Sequence, residues 1–112
     1  MQMIEAIIKP HRLDAVKDAL NRVGILGATA VEVKGYGRQG GHTERYRGAT
    51  LEIRFVPKVM LQVAVKDAEL DMALKAIIDA ARTGEVGDGK IFVYPISQTI
   101  RIRTNDRGDE AL

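Results

Sequence analysis

The sequence has no cysteine, so a disulfide, a thiolate nucleophile and a cysteine zinc site are all excluded. Such a chain suits a reducing compartment. Aromatic residues make up only 4% of it, and Phe92 and Tyr94 do not supply the stacking platform that an RNA-binding sheet needs. Neither sign of charge dominates: 17 Lys and Arg against 15 Asp and Glu leave a net +2, which argues against nucleic acid or an anionic membrane as a general partner. Any anion site must therefore be local. No stretch approaches the roughly 20 apolar residues of a membrane span, and the opening Met1 to Lys9 is too short in apolar run and too early in charge for a signal peptide. A soluble, cytoplasmic protein is expected. His11 and His42 have no acidic partner at metal-ligand spacing, and Ser97, Thr43 and Thr50 are isolated from any base, so neither a histidine metal site nor a catalytic nucleophile is expected.

What is present is enough for one domain, since 112 residues can bury a core without staples. Met3 to Lys9 reads as a strand ended by Pro10, after which Leu13, Val16, Leu20 and Val23 fall at helical spacing up to Gly24 and Gly27. Ala28 to Tyr36 reads as a second strand, with Val31 and Val33 on one face and Glu32 and Lys34 on the other. Gly37 to Gly48 has no apolar period and reads as a long mobile loop, of a length that is usually functional or disordered. From Leu51 to Val65 the odd positions are apolar, interrupted only at Pro57, which implies a strand longer than a sheet usually holds. Asp67 is placed to cap a second helix whose buried stripe would be Leu70, Leu74, Ile77, Ile78 and Ala81, with Gly84 as its stop. Ile91 to Tyr94 is a further strand, Thr99 to Arg103 alternates as a strand would, and Asn105 to Leu112 reads as a mobile polar tail. The resulting order predicts an α+β, ferredoxin-like βαββαβ sandwich: an antiparallel sheet, two helices on one face, and a long loop between strands 2 and 3.

Eight of the 11 glycines fall in two segments, Gly35 to Gly48 and Gly84 to Gly89. Gly35 to Gly40 matches G-x-G-x-x-G, but no helix follows and a dinucleotide fold fails on context. Gly84 to Lys90 spells G-x-x-x-x-G-K, yet Ile91 stands where a P-loop needs a hydroxyl, and the loop leaves a helix and enters a strand rather than the reverse. Phosphate binding is still plausible chemistry there, because glycines bring main-chain N–H groups close to a ligand and Lys90 adds a cation. Arg101 and Arg103 share a face with Thr99 and could converge with Lys90 on one polyphosphate, the bland alternative being a solvated strand face. Lys58, beside Pro57, could meet a carboxylate or merely guard a sheet edge.

Several stretches, in order and at matching spacing across essentially the whole chain, closely resemble the PII nitrogen-regulatory signal proteins: Met3 to Pro10, Val33 to Gln39, Tyr46-Arg47-Gly48, Thr83-Gly84, Gly87 to Val93 and Ile100 to Thr104. The resemblance implies a homotrimer that senses ATP against ADP in clefts between subunits, and 2-oxoglutarate when MgATP is bound. It implies a protruding T-loop at about 37–54, a B-loop at 82–90 and a C-terminal loop at about 102–112. Nucleotide contacts would come from Thr29, Gly37, Arg38, Gln62, Val63, Ala64, Gly87, Asp88, Gly89, Lys90, Arg101 and Arg103. Gln39 would be the magnesium ligand, and Gly37, Gln39, Gly41, Lys58 and Gly87 would hold 2-oxoglutarate. Tyr46 and Arg47, at the loop apex, would meet the partner: an ammonium transporter, or an enzyme of nitrogen metabolism such as N-acetylglutamate kinase.

The sequence departs from that family in places that bear on control. Leu51 replaces the tyrosine that many relatives modify and Ala49 the serine that others phosphorylate, so neither modification is chemically available. Gln62 stands where an acidic residue is common, and Gly40 where a lysine is. The rival readings are a weak ATPase or phosphotransferase using the same cleft, with Asp88 positioning a water, and a nucleic-acid-binding domain, which the near-neutral charge disfavours.

Overall fold

The computed structural model describes residues 1–37 and 54–112. The strands are β1 (Gln2–Ile8), β2 (Thr29–Gly35), β3 (Val56–Val65) and β4 (Lys90–Pro95); the helices are α1 (Leu13–Arg22) and α2 (Leu70–Ala81), each entered through a short 3-10 turn. The sheet order is β2-β3-β1-β4, with every pair antiparallel. This is the ferredoxin-like arrangement that the element order predicts.

Period-two patterning decides which face is covered. Ile4, Ala6 and Ile8 of β1 stand opposite Val63, Leu61 and Val59 of β3. All six are buried, in one cluster with Val16 and Leu20 of α1 and Ala73, Ile77 and Ala81 of α2. The helices therefore lie together on that face. Ile4, Val16, Val63 and Ile77 are wholly buried, and truncating such an isoleucine to alanine costs about 2–5 kcal/mol.

The other face carries Met3, Glu5 and Ile7 of β1 against Ala64, Gln62 and Met60 of β3, with Thr29, Val31 and Val33 of β2 on one flank and Tyr94, Phe92 and Lys90 of β4 on the other. No helix covers it in the described residues. Phe92, Val31 and Tyr94 are accordingly exposed.

Several expectations need correction. The buried stripe of α2 includes Ala73 and not Ile78, which is 38% exposed because it turns past the edge of the core. Asp67 does not cap α2; its carboxylate accepts the Met1 ammonium at 2.8 Å and Gln2 Nε2 at 3.2 Å, while Lys66 N–H is satisfied by Glu69 Oε1 at 3.1 Å. Gly84 is not the helix stop either, since α2 ends at Ala81 and Arg82 is already extended at φ −70°, ψ 129°. Pro57 does not break its strand. It lies opposite Lys34, before β1 joins at Val59, so only one neighbouring strand flanks a residue that has no N–H to give.

Thr99 to Arg103 is not a full strand. Ile100 makes a single bridge to Arg107, and a turn through Asn105 at φ 64° reverses the chain. The polar tail folds back, closed by Gly108 N–H to the Thr99 carbonyl at 2.9 Å and ending in a 3-10 turn at Gly108–Ala111. Local pairing wins here because β4 has already ended at Pro95.

Candidate functional site

The glycine-rich loop at 82–90 is built from its root upward. Arg12, in the turn between β1 and α1, donates to the Ala80 carbonyl from Nε at 2.9 Å and Nη2 at 2.5 Å, satisfying an acceptor left over at the end of α2. Asp88 then closes the loop on itself. Its Oδ2 accepts the N–H groups of Thr83 at 2.9 Å and Gly84 at 2.8 Å, and its Oδ1 accepts the Thr83 hydroxyl. The Thr83 hydroxyl, more than any other neighbour, holds the Asp88 carboxyl well below the usual carboxylate range, with the two amides and Lys9 acting the same way.

Gly84, Gly87 and Gly89 all take positive φ, at 88°, 100° and 101°. Gly89 is additionally confined, because a β-carbon on it would lie 1.7 Å from the carbonyl oxygen of Ile7. Only glycine fits this crossing of loop and strand.

Between the loop and the end of β2 lies a cleft of about 480 Å³. Gly37, Lys58, Gly87, Gly89 and Lys90 line its polar side; Ile7, Val86, Phe92 and Tyr36 line the apolar side. Lys58 is 8% exposed and donates to the Gly87 carbonyl. It is no edge guard, because its side chain is buried and turned in to the Gly87 carbonyl, with Lys58 Cγ at an ordinary contact distance of 3.7 Å from where a β-carbon on Gly35 would be. Burial pushes the Lys58 ammonium below the ordinary lysine range, the nearby charge of Lys9 adds to this, and Asp88 opposes it. A buried cation with a neutral carbonyl as partner is well placed to receive an anion.

The remaining sequence-predicted residues cluster elsewhere. Thr29 stands opposite Gln62, next to Val63 and Ala64 and further along the sheet from Lys58. Gln62 donates to Glu5 Oε2 at 2.9 Å, and Tyr94 O–H donates to the same oxygen at 2.7 Å. These two donors, Gln62 first, keep Glu5 ionised below its ordinary range, and the same contact raises the Tyr94 phenol. Arg101 and Arg103 lie beyond the far end of β4 from Lys90. Arg101 is engaged by its own tail, at 3.0 Å from both Asp106 Oδ2 and the Glu110 carbonyl. The convergence of Lys90, Arg101 and Arg103 does not occur within one chain, because Thr99 to Arg103 folds on itself instead of running beside Lys90. Arg38, Gln39, Gly41, Tyr46 and Arg47 lie outside the described residues, as do Gly40, Ala49 and Leu51.

The candidate residues thus form two groups along the sheet, separated by about 13 Å from Lys58 to Gln62 and about 20 Å from Lys58 to Ala64 at some 3.3 Å per strand residue. Sequence reasoning assigned no role to Lys9, Arg12, Thr83, Glu5 or Tyr94; Glu5, Lys9 and Thr83 lie in stretches that carry the family resemblance, Arg12 and Tyr94 do not. Among the described residues no cluster of three or more His, Cys, Asp or Glu could hold a metal ion, and no helix is long and apolar enough to cross a membrane.

Comparison with known proteins agrees with this fold. Residues 1–106 match the family described as nitrogen regulatory protein P-II. The chain is 54% identical over 112 residues to the nitrogen regulatory protein P-II of Rhodospirillum rubrum and 54% identical to that of Azospirillum brasilense, covering each from end to end. It is also similar to the crystal structure of Arabidopsis thaliana PII bound to citrate, at 39% identity and TM-score 0.81, over 98% of this chain and 87% of that one.

Proposed function

Because the chain belongs to the nitrogen regulatory protein P-II family, we propose that it reports the ATP/ADP ratio and the 2-oxoglutarate level to partner proteins through its 37–54 loop. The relatives are named as regulators, and this chain is a regulator and not an enzyme. One observation carries the ligand reading: a buried lysine, Lys58, faces a cleft rimmed by Gly87, Gly89 and Lys90, with a main-chain carbonyl as its one hydrogen-bond acceptor among the described residues. That cleft suits the phosphates of a nucleotide and the carboxylates of a small dianion. The similar plant protein was crystallised with citrate, a polycarboxylate, which fits the same chemistry.

The split site supports a reading in which subunits assemble. Thr29, the Gln62 to Ala64 main chain, Arg101 and Arg103 would meet Gly37, Gly87, Gly89 and Lys90 only if the far end of one copy's sheet met the near end of another's. The uncovered sheet face, with Val31, Met60 and Phe92, offers the apolar area for this, and a ring of three copies closes the contact. Asp88 would act through loop geometry, since its carboxylate is taken up by Thr83 and Gly84. Gln39, with Arg38 and Gly41, would complete the anion and magnesium contacts, and Tyr46 and Arg47 would meet the partner, an ammonium transporter or a nitrogen-metabolism enzyme such as N-acetylglutamate kinase. The protein would act in the cytoplasm.

Sedimentation equilibrium combined with ATP titration tests this reading. A trimer binding three ATP, with binding weakened in both Lys90→Ala and Arg103→Ala, is the expected result. A monomer that binds ATP in full would overturn the shared site.

A further inference from the structure

The loop at 82–90 is flanked by two lysines and closed by one carboxylate. Lys9, the last residue before Pro10, places Nζ 3.0 Å from Thr83 Oγ1, 3.4 Å from Asp88 Oδ1 and 3.6 Å from Glu85 Oε1. Lys58 approaches from β3 and donates to the Gly87 carbonyl. Glu85 is exposed, so Asp88 is the carboxylate that both lysines feel. It is bound to the Lys9 side.

We propose that Lys9 and Asp88 are positioning residues for the cleft: their ion pair holds Asp88 away from Lys58, leaving that ammonium with a neutral carbonyl partner which an anion displaces. This rests on the anion-binding reading of the cleft. The argument is one of competition. A carboxylate offers the Lys58 ammonium a Coulomb attraction that a neutral carbonyl does not. An anion therefore gains more by replacing the Gly87 carbonyl than by replacing Asp88. The same pair fixes Asp88 where it can hold the Thr83 and Gly84 N–H groups, and so sets the path of Gly87 and Gly89 along the cleft.

Among the described residues the charges that face Lys58 are Lys9 from the end of β1, Asp88 from the loop and Lys90 from the head of β4; β2 presents Val33 and Gly35. Removing Lys9 takes away a repelling cation and frees the Asp88 carboxylate. Both changes favour the charged form of Lys58.

The experiment uses the full chain, inorganic tripolyphosphate as probe, and NMR of the lysine ammonium groups. In Lys9→Met the Lys58 titration moves to higher pH and tripolyphosphate binds at least about tenfold more weakly, while Lys9→Arg restores binding to within a few-fold. Asp88→Asn separates positioning from charge counting. Deleting a negative charge beside two lysines should tighten binding by Coulomb's law alone, whereas loss of loop positioning weakens it. Tripolyphosphate binding to Asp88→Asn as tight as wild type or tighter, or a Lys58 titration unmoved in Lys9→Met, would overturn the inference. Should the wild type bind no tripolyphosphate, the ligand reading fails, and the Lys58 titration in Lys9→Met still decides whether the two lysines are coupled through Asp88. Circular dichroism checks that each variant is folded.

Discussion

Gly89 and Ile7 touch so closely that the loop and the first strand leave no space for a side chain between them: a β-carbon on Gly89 would stand 1.7 Å from the Ile7 carbonyl oxygen. Replacing Gly89 by alanine must move the loop away from β1, and it also forces a residue with a side chain to φ 101°. The expected loss is about 2–4 kcal/mol, from overpacking and left-handed strain together. Gly84→Ala is the control, because φ is 88° there but nothing lies within 4 Å of the new carbon. It should cost only about 1–2 kcal/mol. Urea denaturation of the two variants checks the difference.

The folded-state pKa of Asp88 is depressed, so its contribution to stability has a definite sign. The unfolded chain takes up the proton first as pH falls, which means the stabilisation is complete above the ordinary aspartate value of about 3.9 and is lost as pH drops below it. Asp67, Asp79 and Glu5 are shifted the same way. Denaturation midpoints measured from about pH 6 down to about pH 3 should therefore fall more gently in Asp88→Asn than in wild type, without becoming flat.

Arg12 ties the start of α1 to the end of α2 through a forked contact on the Ala80 carbonyl. Arg12→Ala leaves that part-buried acceptor unpaired and should destabilise the protein by about 1.5–3 kcal/mol, read by chemical denaturation. Hydrogen exchange should quicken first at Arg82, whose N–H bonds to the Ile78 carbonyl in that last turn.

Much of the fold was legible because its periods are clean. The odd positions of β3 and the even positions of β1 meet in one core, and the glycines at 84, 87 and 89 do take the positive φ that a ligand-cradling turn requires. What was not legible depended on partners distant in sequence. Lys58 looked like an edge residue beside Pro57, and its burial appears only once the 82–90 loop, distant in sequence, is seen to meet it at Gly87. Alternation at Thr99 to Arg103 had the period of a strand, but Arg107 and Asp106 supplied a closer local pairing. Lys9 and Arg12 were given no role in the sequence; their roles appear only once the turn after β1 is seen beneath the end of α2.

The central claim is that the cleft beside Lys58 couples a nucleotide to a small dicarboxylate, and calorimetric titration with 2-oxoglutarate tests it most directly. The titration is run with MgATP, with MgADP and without nucleotide, on wild type, Lys58→Ala and Gln39→Ala. The account predicts heat of binding only with MgATP, and its loss in both variants. Binding of 2-oxoglutarate that is indifferent to nucleotide, or that survives Lys58→Ala, would contradict it.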